Sequence, residues 1–141
     1  MKKTIEYRLT VGEKQVLKSK KVTQKMLRDY APDEVAALLN ASPERSRELS
    51  ALAEFQSIPS LGVNFAEELI SQGYYSLDQL KSKNAIELFN AFESHCGTRP
   101  DPCVEDCYRL LVHYIENRDD TKRWWHFTDE RKAYREQYGI R

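Results

Sequence analysis

No apolar run in this 141-residue chain approaches the roughly 18 residues that a membrane-spanning helix needs, so no membrane partner is expected. The opening Met1-Lys2-Lys3-Thr4-Ile5-Glu6 lacks the apolar core of a signal peptide, which predicts a cytoplasmic protein. Cysteine is scarce. The three present form no C-x-x-C pair and read as reduced thiols rather than a disulfide frame. With five glycines there is no Walker loop, dinucleotide fingerprint or nucleophile elbow, so neither a cofactor nor an enzyme class is expected. Net charge is absent as well: 22 Lys and Arg balance 22 Asp and Glu.

That balance conceals a segregation. Residues 1–28 hold nine Lys or Arg against two Glu, a net +7, whereas residues 29–117 carry a net −9 and residues 118–141 a net +2. A polyanion is therefore expected to meet the N-terminal arm before the acidic body. Within the arm, Lys14, Lys18, Lys21, Lys25 and Arg28 recur at helical spacing and would line one stripe of a helix. The apolar positions Val16, Leu17, Met26 and Leu27 are patchy, which predicts a break near residues 19–22. Residues 1–10 read as a short strand or a disordered start.

What is present elsewhere is helical punctuation. Pro32-Asp33-Glu34 reads as a first turn, and Ser42-Pro43-Glu44 as a cap, an N1 proline and an acid. The chain centres on Ile58-Pro59-Ser60-Leu61-Gly62-Val63-Asn64-Phe65-Ala66. Gly62 is expected to reverse the backbone at positive φ, and Ala66 to let a second helix approach the first. This spacing resembles a helix-hairpin-helix motif. Such a hairpin holds a nucleic-acid phosphate on backbone amides, because N–H groups at a helix start are unsatisfied and the dipole is positive there. Helix, glycine turn and helix occur twice, at 43–72 and 84–117. The expected fold is all-α: a tandem helix-hairpin-helix, SAM-like core at 43–118, a basic helical arm at 1–42 and a Trp-anchored tail at 119–141.

Two constellations carry chemistry-bearing residues. His95, Cys96, Cys103, Cys107 and His113 invite zinc, but Cys107 fits the apolar stripe of its helix, and packing is the expected role. Asp101, Glu105 and Asp106 could hold magnesium, yet acids at a helix start are explained by the dipole alone. In the helix 103–117 the expected inward residues are Val104, Cys107, Leu110, Leu111, Tyr114 and Ile115. Thr128 is expected to cap the last helix. Trp124 and Trp125, flanked by Lys122, Arg123 and His126, could stack on bases, but at least one is expected to dock on the helix 103–117.

From Phe55 to Tyr138 the chain resembles the small bacterial pathogenicity-locus proteins, a mitomycin-resistance-like family of helix-hairpin-helix proteins. The matching stretches are Phe55 to Gly62, Gly73 to Leu77, Asp101 to Asp106 and Trp124 to Arg135. The resemblance implies an all-α hairpin fold and a nucleic-acid role, and implies no reaction. The chain departs from the strongest DNA-binding hairpins, which carry glycine where Ser60 stands and often a cation just after the second glycine. Taken together, the expectation is a non-enzymatic protein that binds nucleic acid, DNA first, without sequence specificity. The expected contacts are Ser60, Gly62, Val63, Asn64 and Arg99, with Lys14, Lys18, Lys21 and Lys25. The alternative is a protein-interaction module with no nucleic-acid contact.

Overall fold

The structure is a computed structural model that describes residues 4–98 and 100–139. Every regular element among those residues is helical, as the punctuation predicts. Contacts divide the chain into two compact units, Met1–Ser57 with Gly62–Tyr75, and Ile58–Leu61 with Ser76–Arg141.

In the first unit, α1 (Val11–Ser19) opens on a reciprocal cap. The Glu13 N–H donates to the Thr10 hydroxyl and the Thr10 N–H to the Glu13 carboxylate. The break expected near residue 20 is present: Lys21 enters the left-handed region and a 3-10 helix, Gln24–Asp29, follows. Proline at N1 and first-turn acids start α2 (Pro32–Leu39), and Asn40 ends it at φ 50°. Ser42 caps α3 (Pro43–Gln56) by accepting the Arg45 N–H at 3.1 Å. α4 (Val63–Ser71) follows the hairpin turn, and α3 packs against both α2 and α4. Val35, Leu39, Leu49, Leu52, Phe55, Phe65 and Leu69 are buried in this unit. Each such side chain removed from water stabilises by about 1.5–3 kcal/mol.

Residues 4–10 are neither strand nor free. The buried Gln56 amide donates to the Glu6 carbonyl at 2.7 Å and accepts the Glu6 N–H at 3.1 Å. Arg45 donates to the Tyr7 carbonyl at 3.0 Å and pairs with Glu13 at 2.8 Å. That guanidinium holds the Glu13 carboxyl below its usual range. A backbone that would otherwise pair with a strand is satisfied by two side chains from α3.

The second unit contains a 3-10 turn at Asp78–Leu80, α5 (Ala85–Cys96), α6 (Cys103–Asn117), a 3-10 helix at Trp124–Phe127 and α7 (Thr128–Tyr138). Gly97 ends α5 in the left-handed region at φ 70°. α6 packs against α5, α7 and the Trp124–Phe127 segment.

The inward face of α6 differs from the expected one. Glu105, Asp106 and Tyr108 are buried with Leu110 and Leu111, while Val104, Cys107, Tyr114 and Ile115 are half-buried. Tyr108 meets Phe89 edge-on at 6.4 Å and Phe92 at 6.1 Å. The acids are inward because α7 brings cations to them. Asp106 takes Arg131 at 2.9 Å and the Thr128 hydroxyl at 2.8 Å, and Glu105 takes Arg135 at 2.8 Å and Arg109 at 3.1 Å. Thr128 thus spends its hydroxyl on Asp106 instead of capping α7. The dipole alone therefore does not account for Glu105 and Asp106, which are held by arginines, while Asp101 stays exposed at the helix start.

Candidate nucleic-acid interface

The turn between α3 and α4 is made by Ile58, Pro59, Ser60 and Leu61. Pro59 fixes φ at the second position, so the reversal falls on the third. Ser60 takes φ 67°, and the Leu61 N–H closes the turn on the Ile58 carbonyl at 3.2 Å. Gly62, expected to supply the positive φ, is extended at φ −102° and serves as the N-cap of α4. The positive φ thus falls on Ser60 and not on Gly62. Serine tolerates it here at a cost of about 1–3 kcal/mol, and its hydroxyl accepts the Trp124 N–H at 3.0 Å.

The same turn recurs 22 residues on. Ser82 takes φ 66°, the Lys83 N–H donates to the Leu80 carbonyl at 3.3 Å, and α5 starts three residues after the serine. The two turns differ at the cap. Asn84 accepts the N–H groups of Ile86 and Glu87 at 2.8 and 3.4 Å, closing the start of α5. Gly62 has no side chain to do this for α4. Nor does an acid stand in the first turn of α4, whereas Glu13, Asp33, Glu44, Glu87, Glu105 and Asp129 stand in those of the other six α-helices. The positive end of its dipole therefore meets neither a capping side chain nor a first-turn carboxylate.

A cation stands there instead. Arg8, at φ 50°, donates to the Asn64 side-chain oxygen at 2.6 Å and pairs with Glu67 at 3.3 Å. Both partners of that pair are about half exposed, so an incoming anion can compete for the guanidinium. Arg8 was counted in the basic arm but no spacing singled it out, since it lies 56 residues from Asn64. Val63 is half-buried and Asn64 exposed on this first turn.

Of the arm lysines, Lys14, Lys18 and Lys21 line one groove of about 360 Å³, with Leu17 and Val22 among its apolar lining. Lys25 is exposed on the 3-10 helix and does not line it. Lys20 is turned to the Leu38 carbonyl. Arg99 lies outside the described residues. In the second unit a groove of about 430 Å³ pairs Lys83 and Arg109 with Glu116 and Glu130, a balance that favours no anion. Among the described residues no three of His, Cys, Asp and Glu gather as a metal site. Cys96 is exposed, and Cys103 and Cys107 are half-buried. The Cys103 thiol is pushed up by its hydrogen bond with Asp101.

A family model described as Cdd1, Pathogenicity locus, matches residues 48–133. The chain belongs to the pathogenicity-locus family. The matched span begins in α3 and runs through both serine turns, the buried acids of α6 and the arginine Arg131 that pairs with them. Arg8 and the lysine groove precede it. Within the same family resemblance, the chain is 28% identical over 80 residues to a mitomycin resistance protein of Streptomyces lavendulae, covering 57% of this chain and 75% of that protein. No solved structure matches the chain. No helix is long and apolar enough to cross a membrane among the described residues.

Proposed function

We propose that this pathogenicity-locus protein is a non-enzymatic nucleic-acid-binding protein that grips phosphodiesters, DNA first, without reading sequence. The open start of α4 carries this reading. Two turns share one backbone geometry, and the helix that follows Gly62 starts with neither a side-chain cap nor a first-turn acid, which leaves the positive end of its dipole without a negative partner. Arg8 supplies the cation that residues 63–65 lack, and Lys14, Lys18 and Lys21 supply further phosphate contacts. Main-chain amides and lysines contact phosphates, which are alike at every base pair, so affinity follows charge rather than sequence.

Gly62→Asp tests the reading, because stability and binding move in opposite directions. Gly62 has cap-like φ and ψ, and a Cβ there meets no atom within 4 Å. Aspartate would cap α4 and hold or raise Tm, while its charge occupies the phosphate site and lowers affinity. In anisotropy titrations, log affinity should fall linearly with log salt. Replacing Lys14, Lys18 and Lys21 together by alanine should flatten that slope by up to about three. No binding near ~50 mM salt, or binding unchanged by Gly62→Asp, overturns the proposal. The net −9 of residues 29–117 favours a second reading, protein interaction without nucleic acid, under which a bound partner survives nuclease treatment.

A further inference from the structure

Trp125 is 53% exposed, while Trp124 beside it is half-buried. An indole buries about 150–250 Å² when docked, so leaving one in solvent forgoes a large apolar gain. The local fold does not require this exposure. The 3-10 helix 124–127 is fastened without the Trp125 ring: the Trp124 N–H donates to Ser60, and the Arg123 N–H donates to His126 Nδ1 at 2.9 Å. The Phe127 ring meets His113 at 5.5 Å.

The exposed ring is nevertheless held in place. Trp124 meets it at 5.6 Å and 85°, and His126 at 5.8 Å and 63°. Both approach steeply, so neither neighbour stacks parallel on it. Residues 121–128 include Lys122, Arg123 and His126 and no acid. Through Trp124 the segment is tied to Ser60, the apex of the hairpin turn, two residues before Gly62 in the chain.

We propose that Trp125 is a stacking platform for an unpaired nucleobase. The ligand is then a single strand, or a duplex with an extruded base, rather than a regular duplex. This rests on the nucleic-acid reading above. A paired base has both faces covered by its neighbours, and an indole outside the helix cannot stack on it. An unpaired base presents a free face, and Lys122 and Arg123, close to Trp125 in the chain, are cations that suit its flanking phosphates. The ring is already positioned, so little side-chain freedom is lost on binding.

The full chain and its Trp125→Ala and Trp125→Phe variants should be titrated with three labelled DNAs: a single strand, an intact duplex and the same duplex with a one-base bulge. The wild type should prefer the single strand and the bulge over the intact duplex, and these two should quench tryptophan emission. Trp125→Ala should weaken both by about tenfold, keep duplex affinity within about twofold and leave Tm unchanged. Trp125→Phe should recover most of the loss. Equal affinity for all three DNAs, unmoved by Trp125→Ala, overturns the platform and leaves the phosphate grip intact. Absence of binding to any of them overturns both. Loss of a nuclease-resistant protein partner in Trp125→Ala, with DNA binding unmoved, overturns the platform in favour of a protein dock.

Discussion

Two carboxylate sites, one in each unit, answer burial in opposite ways. In the second, Glu105 and Asp106 are inside the protein, and Arg109, Arg131 and Arg135 come to meet them. In the first, Glu68 on α4 is partly withdrawn from water, and its Oε2 is buried with no hydrogen-bond partner. Burial pushes the Glu68 carboxyl up to about 7. A carboxylate without a cation answers desolvation by holding its proton to higher pH, whereas one met by arginines becomes a fastening. That fastening holds α7, and with it the tail, onto α6.

Removing Asp106 should have the largest effect. Asp106→Ala leaves Arg131 buried without its counter-charge, and unfolding in denaturant should show a loss of about 3–5 kcal/mol. The double variant with Arg131→Ala should lose less than the sum of the two single changes. A loss from Asp106→Ala below about 1 kcal/mol would mean that the buried pair does not secure the tail.

The Glu68 contrast is sharpened by pH. Its folded pKa lies above its ordinary value of 4.5, so the folded state holds the proton more tightly. The associated stability is fully present below about pH 4.5 and is lost as pH rises to about 7, with no further change above that. Glu68→Gln should therefore match the wild type at pH 4 and exceed it at pH 8 by on the order of 1–3 kcal/mol. Parallel stability curves for the two proteins from pH 4 to 8 would remove the contrast.

The smallest expected change in stability comes from an exposed pair. Arg8→Ala breaks the half-exposed contact with Glu67 and should move stability by no more than about 0.5 kcal/mol. Its DNA affinity should nevertheless fall several-fold. Equal losses in stability and binding would show that Arg8 positions the segment 4–10 rather than meeting a phosphate.

Much of the helical order was legible because capping is local. Ser42-Pro43 and Pro32-Asp33-Glu34 start helices where they are read, and Gly97 ends one. The hairpin turn was legible in place but not in its apex. Pro59 and Gly62 frame the turn, yet the positive φ falls on Ser60, which sits between buried Ile58 and Leu61 and whose hydroxyl accepts the Trp124 N–H. The Ser82 turn was not legible because its sequence, Leu80-Lys81-Ser82-Lys83-Asn84, shares only the serine with the first turn at the matching positions. Backbone geometry repeats there while the side chains do not.

The sequence by itself determined the helical character, the starts at Pro32 and Ser42-Pro43 and the separation of a basic arm from an acidic body, because those follow from residues within one or two turns of each other or from composition. Only the tertiary structure decided that Glu105 and Asp106 face inward, since a buried charge is tolerated only where cations from another element are delivered to it. It also decided that Arg8 stands beside Asn64 and that Trp124 is tied to Ser60, contacts that span 56 and 64 residues. Periodicity and propensity act between near neighbours. Pairings at that separation are selected by packing the whole chain.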